Sequence, residues 1–267
     1  MSATTSRIAY SRAGSGPPLL LIHGLGHRRQ AWDPVLGLLT PHRDVIAVDL
    51  PGHGESPPLQ ADGKEAVEVM ADRLADLLSS LDLEQPHLGG NSLGGALALI
   101  LAARGRGASA TTLSPAGFFN NRAQYYYARG FFEFALISGR ALAPVLPRLA
   151  QGKTGRALLM GGVVTRPTRL SPAQVQGDVT GIVRAADAVH AVLRTFQPFT
   201  MSIPDDVLVT ICWGSKDRVL SSKNALVARE RVPSARFRIL PHCGHVPMSD
   251  DPELVARVLL EGSAGRH

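Results

Sequence analysis

Gly90-Asn91-Ser92-Leu93-Gly94 lies between a short apolar run, Pro86-His87-Leu88-Gly89, and a helix-like run, Ala96-Leu97-Ala98-Leu99-Ile100-Leu101-Ala102-Ala103. A G-x-S-x-G at a strand-to-helix junction predicts a sharp turn that holds its serine strained and exposed. Gly90 and Gly94 fit that turn, because side chains two residues either side of the serine would collide across it. The helix that starts beside Ser92 turns free N–H groups and the positive end of its dipole toward developing negative charge. Glycine-rich turns before helices are common, so the stretch gains weight only from its surroundings.

Working outward, Leu19-Leu20-Leu21-Ile22 is a buried-strand run that ends in His23-Gly24-Leu25-Gly26. Leu208-Val209-Thr210-Ile211-Cys212-Trp213 is another, followed by Gly214-Ser215-Lys216-Asp217. A third, Phe237-Arg238-Ile239-Leu240, runs into Pro241-His242-Cys243-Gly244-His245. A serine, an acid and a histidine thus follow one another in chain order, the last two each just past a strand. In this the chain resembles the α/β-hydrolase family, whose nucleophile, acid and base come in the order Ser…Asp…His. Asp49-Leu50-Pro51-Gly52-His53-Gly54-Glu55-Ser56 is similar to the loop after the next strand in that family. The resemblance runs from about Ile8 to Leu260 and is weakest between Gly117 and Ser202.

Arg7-Ile8-Ala9-Tyr10 reads as an early strand, and Ser15-Gly16-Pro17-Pro18 as a turn. A helix near Ala31 to Leu39 and the strand Val45-Ile46-Ala47-Val48 follow. Val67, Val69, Met70, Leu74, Leu77 and Leu78 repeat at helical spacing within Ala66–Leu81. The strand before Ser92, its helix and the strand Ala110-Thr111-Thr112-Leu113 complete the alternation. Strands alternating with helices predict an α/β fold with a mostly parallel central sheet and helices on both faces. From Gly117 helical runs dominate to about Phe196, and the closing helix spans Pro252 to Glu261. The expected organisation is a core of residues 1–116 and 203–267, with residues 117–202 inserted. The resemblance implies that such an insertion is a helical cap over the active site.

The resemblance also implies roles. Ser92 is the nucleophile, a weak one that needs an adjacent base. His245 is that base, because Gly244-His245-Val246-Pro247 is similar to the family's histidine loop, and Asp217 orients it. In some relatives the acid follows the strand at Ala110, but here Leu113-Ser114-Pro115-Ala116 carries no carboxylate. Asp205 and Asp206 precede their strand and so lie at its wrong end. His242 is the rival base, while His23 and His53 read as loop-structuring residues. By the family pattern the oxyanion hole takes one backbone N–H from Leu93 and a second from Leu25, which Gly24 and Gly26 let turn inward. The run His242-Cys243-x-His245 lacks the ligand cluster of a zinc site, and no phosphate-cradling loop occurs. Neither a metal nor a cofactor is expected.

The chain has 267 residues, 45% of them hydrophobic, enough for one large α/β domain. Met1 to Arg12 lacks a signal-peptide core, and no apolar run reaches about 18 residues, so no membrane span is expected. Cys212 and Cys243 make no disulfide framework, which points to a reducing cytoplasm. Both lie near one end of the sheet, which leaves a bond between them open. The net charge of +6 is uneven, for ten basic residues against three acids put about +7 in residues 117–203. That charge suits an acidic substrate or surface, and equally arginines on solvated helix faces. No nucleic-acid-binding module is present. Eight of the fourteen aromatics lie between Phe118 and Phe134, suited to a pocket wall or to the insertion's own core.

Hydrolysis of a carboxylic ester or lactone through an acyl-enzyme is the first expectation, on a small-molecule substrate with a medium-sized apolar acyl group or an anionic one. Hydrolytic C–C cleavage of a vinylogous diketone is the second, although those enzymes usually carry an aromatic where Val246 stands. Perhydrolysis could accompany an esterase. Epoxide hydrolysis and dehalogenation resemble sites with an aspartate nucleophile, which Ser92 replaces. A small-molecule receptor that keeps its triad is the non-enzyme alternative. The oligomeric state is not legible.

Overall fold

A computed structural model describes residues 8–264. Seven strands form one sheet: β1 (Tyr10–Gly14), β2 (Pro18–Ile22), β3 (Asp44–Val48), β4 (His87–Asn91), β5 (Ser109–Leu113), β6 (Leu208–Gly214) and β7 (Arg236–Leu240). Their spatial order is β1-β3-β2-β4-β5-β6-β7. Only β1 is antiparallel, paired to β3 from Tyr10↔Val48 to Gly14↔Asp44. The early strand therefore begins later than its apolar residues suggest. Pairing sets its limits, and Arg7 lies outside the described residues.

Parity along the strands sorts the core into two layers, as alternating side chains require. Leu20, Ile22, Ile46 and Val48 join the layer made with α2 (Ala66–Ser80) and α3 (Leu93–Ala103). Leu19, Leu21, Val45 and Ala47 join the opposite layer, made with α1 (Asp33–Leu39) and, near the C-terminus, α10 (Pro247–Asp250) and α11 (Pro252–Gly262). The helix expected from Ala31 is a 3₁₀ turn at Arg29–Trp32 leading into α1, where Pro34 takes an early helical position that needs no N–H donor.

Between β5 and β6 the chain leaves the sheet. It forms α4 (Arg122–Leu142), α5 (Leu146–Gln151), α6 (Lys153–Met160), α7 (Pro172–Arg184) and α8 (Ala186–Thr195). Asn121 caps α4, and Ser171 with Gln174 forms a reciprocal capping box on α7. The ends of the insertion meet where Phe199 N–H donates to the Gly117 carbonyl at 3.1 Å. Arg231, in α9 (Asn224–Arg231), donates to both the Gly117 and Phe199 carbonyls.

The strand order reverses between β2 and β4, because the chain steps from β2 to β3 and then returns past β2. Ligands of open parallel sheets collect beyond the carboxyl ends of strands at such a switch point. The loop His23–Gly26 and the turn at Ser92 both leave the sheet there.

Candidate active site

Ser92 follows β4 directly with φ 55° and ψ −116°, a left-handed conformation that costs on the order of 1–3 kcal/mol for a residue with a side chain. The turn is held from both sides: Ser92 N–H donates to the Leu113 carbonyl, and the Ser92 carbonyl accepts from Ala96 and Ala116. A Cβ at Gly90 would lie 2.2 Å from the Gly94 carbonyl oxygen, and one at Gly94 would lie 2.1 Å from that of Ile22. Both glycines are therefore required by close backbone approach.

Asp217 lies three residues beyond β6, and its carboxylate is fully buried. One oxygen accepts from Val219 N–H at 2.9 Å and Leu220 N–H at 2.8 Å. The other is 2.8 Å from Nδ1 of His245. That places the Nδ1 proton between ring and carboxylate and leaves Nε2 as an acceptor. Nε2 is buried and has no hydrogen-bond partner among the described residues. The Ser92 hydroxyl makes none either. Asn91 joins the two loops, because its side-chain amide donates to the His245 carbonyl at 2.9 Å and to the Leu113 carbonyl at 3.0 Å. The residue preceding the serine thus ties the β4 turn to the histidine loop.

Leu25 and Leu93 line one small apolar pocket together with Ser92, Phe132 and Phe196. Leu93 opens α3, where no earlier carbonyl can reach its N–H. Leu25 N–H has no acceptor among the described residues. Gly26, next in the loop, donates to Nε2 of His53 at 3.1 Å, and Nδ1 of His53 donates to the Pro51 carbonyl. His23 behaves alike, donating to the Gly24 carbonyl and accepting from Leu50 N–H at 3.0 Å. Burial lowers the pKa of His53 to about 4 and that of His23 well below the ordinary value, so both stay neutral. The loop-structuring role expected of both histidines is what their bonds supply.

His242 is exposed, with its ring outside this cluster. Asp205 and Asp206 are exposed at the amino end of β6. Cys212 and Cys243 are buried and free. Burial pushes both thiols up to about 12, which removes them as rival nucleophiles. Among the described residues no three His, Cys, Asp or Glu side chains converge as a metal site.

Two positions were missed by sequence reasoning. Asn91 stands inside the quoted pentapeptide, but nothing in its spacing marks it. Asp250 is buried and accepts from Gly244 N–H at 2.7 Å, from Thr165 N–H at 2.8 Å and from Arg166 N–H at 3.1 Å. It clamps the histidine loop to the insertion, a link that no local pattern could reveal.

Beside the small pocket lies a cavity of about 260 Å³. Its walls come from Leu25, Gly26 and His27 of the core and from Phe131, Phe132, Val163, Asp178 and Ile182 of the insertion. It shares Leu25 and Phe132 with the small pocket at Ser92.

A switch-point crevice, a serine on a strained turn and a buried Asp–His pair define a hydrolase-type α/β protein. The comparisons agree, for the model of the alpha/beta hydrolase family matches residues 19–258, and the chain belongs to that family. It is similar to the pimeloyl-[acyl-carrier protein] methyl ester esterase of Nitrosomonas europaea, at 26% identity over 90% of this chain and 93% of that protein. It is 27% identical to 2-hydroxymuconate semialdehyde hydrolase of a Pseudomonas species, over 87% of this chain and 82% of the relative. Among solved structures, a thermophilic esterase from Thermogutta terrifontis superposes with a TM-score of 0.73 at 25% identity, covering 97% and 94% of the two chains.

Proposed function

We propose that the protein is a serine hydrolase of a carboxylic ester or lactone, working through an acyl-enzyme. The observation that carries this reading is the 2.8 Å Asp217–His245 bond, which leaves the buried Nε2 free near the strained Ser92 turn. Nε2 takes the Ser92 proton as Oγ attacks the ester carbonyl, and Asp217 stabilises the imidazolium that results. The oxyanion formed on the carbonyl accepts from the N–H groups of Leu25 and Leu93. Collapse expels the alcohol, which takes the proton from Nε2. Water, deprotonated by the same nitrogen, then attacks the acyl carbon and releases the acid and Ser92.

Residues 117–202 act as a cap, and the cavity beneath it suits an apolar group of medium size. The insertion's positive charge also accommodates an anionic group. Two free buried thiols fit a reducing, cytoplasmic setting. The similarity to a semialdehyde hydrolase favours one second reading, C–C bond hydrolysis at the same serine. Val246, where those enzymes usually carry an aromatic, weighs against it.

The test is steady-state hydrolysis of p-nitrophenyl esters of increasing acyl length, with Ser92→Ala beside the wild type. Turnover lost in the variant is the expected result, and the optimum length sizes the pocket. Full activity in Ser92→Ala overturns the proposal. Folded wild type that turns over no ester, but bleaches a dienoic ring-fission product, moves the chemistry to C–C cleavage. Saturable ligand binding without turnover makes the protein a receptor.

A further inference from the structure

Among the described residues, six of the eleven large hydrophobic side chains left exposed lie between Tyr126 and Leu158. On α4, Tyr127, Phe134 and Ile137 fall seven and three residues apart, along one stripe of the helix. The burial that holds α4 in place comes from its other face, where Ala128, Leu136 and Gly139 are covered. Tyr127 on that stripe donates its hydroxyl to the Arg218 carbonyl at 2.9 Å, whereas Phe134 and Ile137 stay exposed. Phe134 is 70% exposed and Leu158, on α6, is 71% exposed, yet both line the 260 Å³ cavity. Side chains that face solvent and a cavity at once stand at its mouth. Ile137, 66% exposed, extends the collar along α4, and the exposed Val145 follows that helix.

Charge gathers on the same helices. Arg140, Arg148 and Lys153 of α4, α5 and α6 are exposed and make no ion pair with a described residue. An apolar stripe flanked by uncompensated cations is the pattern of a helix lying in a membrane–water interface, its apolar face in the acyl boundary and its cations among anionic headgroups.

We propose that helices α4–α6 dock on an anionic phospholipid surface, with Phe134, Ile137 and Leu158 entering the interface around the cavity mouth. Among the described residues no helix is long and apolar enough to cross a membrane, so the contact is peripheral. Docked this way, the cavity opens toward the lipid. The surface does not depend on the chemistry proposed for Ser92.

Co-sedimentation with phosphatidylcholine vesicles, with and without phosphatidylglycerol, tests the docking. The wild type should sediment with the anionic vesicles, and added salt should weaken this. Ile137→Asp and Phe134→Asp place a charge at exposed positions and should each lower partitioning by about tenfold. The triple variant R140E/R148E/K153E should lose about a hundredfold or more on anionic vesicles only, since each basic residue near such a surface is worth about fivefold. Ser92→Ala should bind like the wild type, which separates failure of docking from failure of the catalytic reading. Three results would overturn the inference: no partitioning, partitioning indifferent to Ile137→Asp and to phosphatidylglycerol, or a wild-type dimer that Ile137→Asp splits in sedimentation velocity.

Discussion

In the sheet domain, Arg12, Arg29, Arg73, Arg104 and Arg238 each have a carboxylate within ion-pair distance. In the helical insertion, Arg140, Arg148 and Lys153 have none among the described residues, and large apolar side chains stand exposed beside them. The sheet domain pairs these five arginines, while others such as Arg236 and Arg257 have no carboxylate partner among the described residues. Its catalytic-end loops are buried, and their polar groups are bonded to one another through Asn91, His23, His53 and Asp217. Nε2 of His245, the atom that would meet a substrate, is left without a hydrogen-bond partner among the described residues. The insertion is satisfied on its inner face alone. On the function and the docking proposed above, the difference separates two tasks, with chemistry at the carboxyl ends of the strands and access through the outward surface of the insertion.

Removal of the reacting groups should break the first half of that comparison most severely. Ser92→Ala and His245→Ala should each lower ester turnover by about 10⁴-fold or more. Thermal unfolding should be little changed by Ser92→Ala, whose hydroxyl bonds to no described residue.

Next comes the joint between the regions. Asp250→Ala strands three backbone donors, from Gly244, Thr165 and Arg166. A loss of about 2–4 kcal/mol in urea unfolding is expected, with a further fall in turnover as the histidine loop loosens. Unchanged stability would mean that water replaces the carboxylate at no cost.

Acid should find the loops before it finds the insertion. His53 titrates near 4 when folded and near 6.5 when unfolded. Between those values the unfolded chain holds the proton and the folded chain does not. Stability from this residue is therefore full above about pH 6.5 and is lost as pH falls toward about 4. His23 is shifted in the same direction by burial. The urea midpoint should drop over that window, and His53→Gln should make the drop shallower while lowering turnover by about tenfold through the Gly26 loop. An equal slope in wild type and variant would remove His53 from the account.

The smallest effect separates paired from unpaired arginines. Arg104 contacts Glu68 and Asp72. Arg104→Ala should cost roughly 0.5–1 kcal/mol, since such pairs are largely solvated. Arg140→Ala should stay within about 0.5 kcal/mol of the wild type.

The sheet was legible in the sequence because its strands are short apolar runs punctuated by Gly and Pro, and because a helix must follow Ser92. The register of β1 was not, since its side chains are exposed and pairing with β3 alone fixes its limits. The positions of Ser92, Asp217 and His245 were readable as residues just past strands. Asn91 and Asp250 were not, because their partners lie 154 and 85 residues away in the chain. Local pattern carries no information on contacts of that range. The insertion's charge could be counted from sequence, but which cations lack partners required the fold.

The central claim is that one serine, Ser92, is activated by the Asp217–His245 pair. Labelling with a fluorophosphonate, followed by peptide mass spectrometry, tests it most directly, because the reagent forms a stable bond only with an activated nucleophile. The account predicts one adduct, on the peptide containing Ser92, and none in His245→Ala. A folded wild type that takes no label, or one labelled on a different residue, would contradict it.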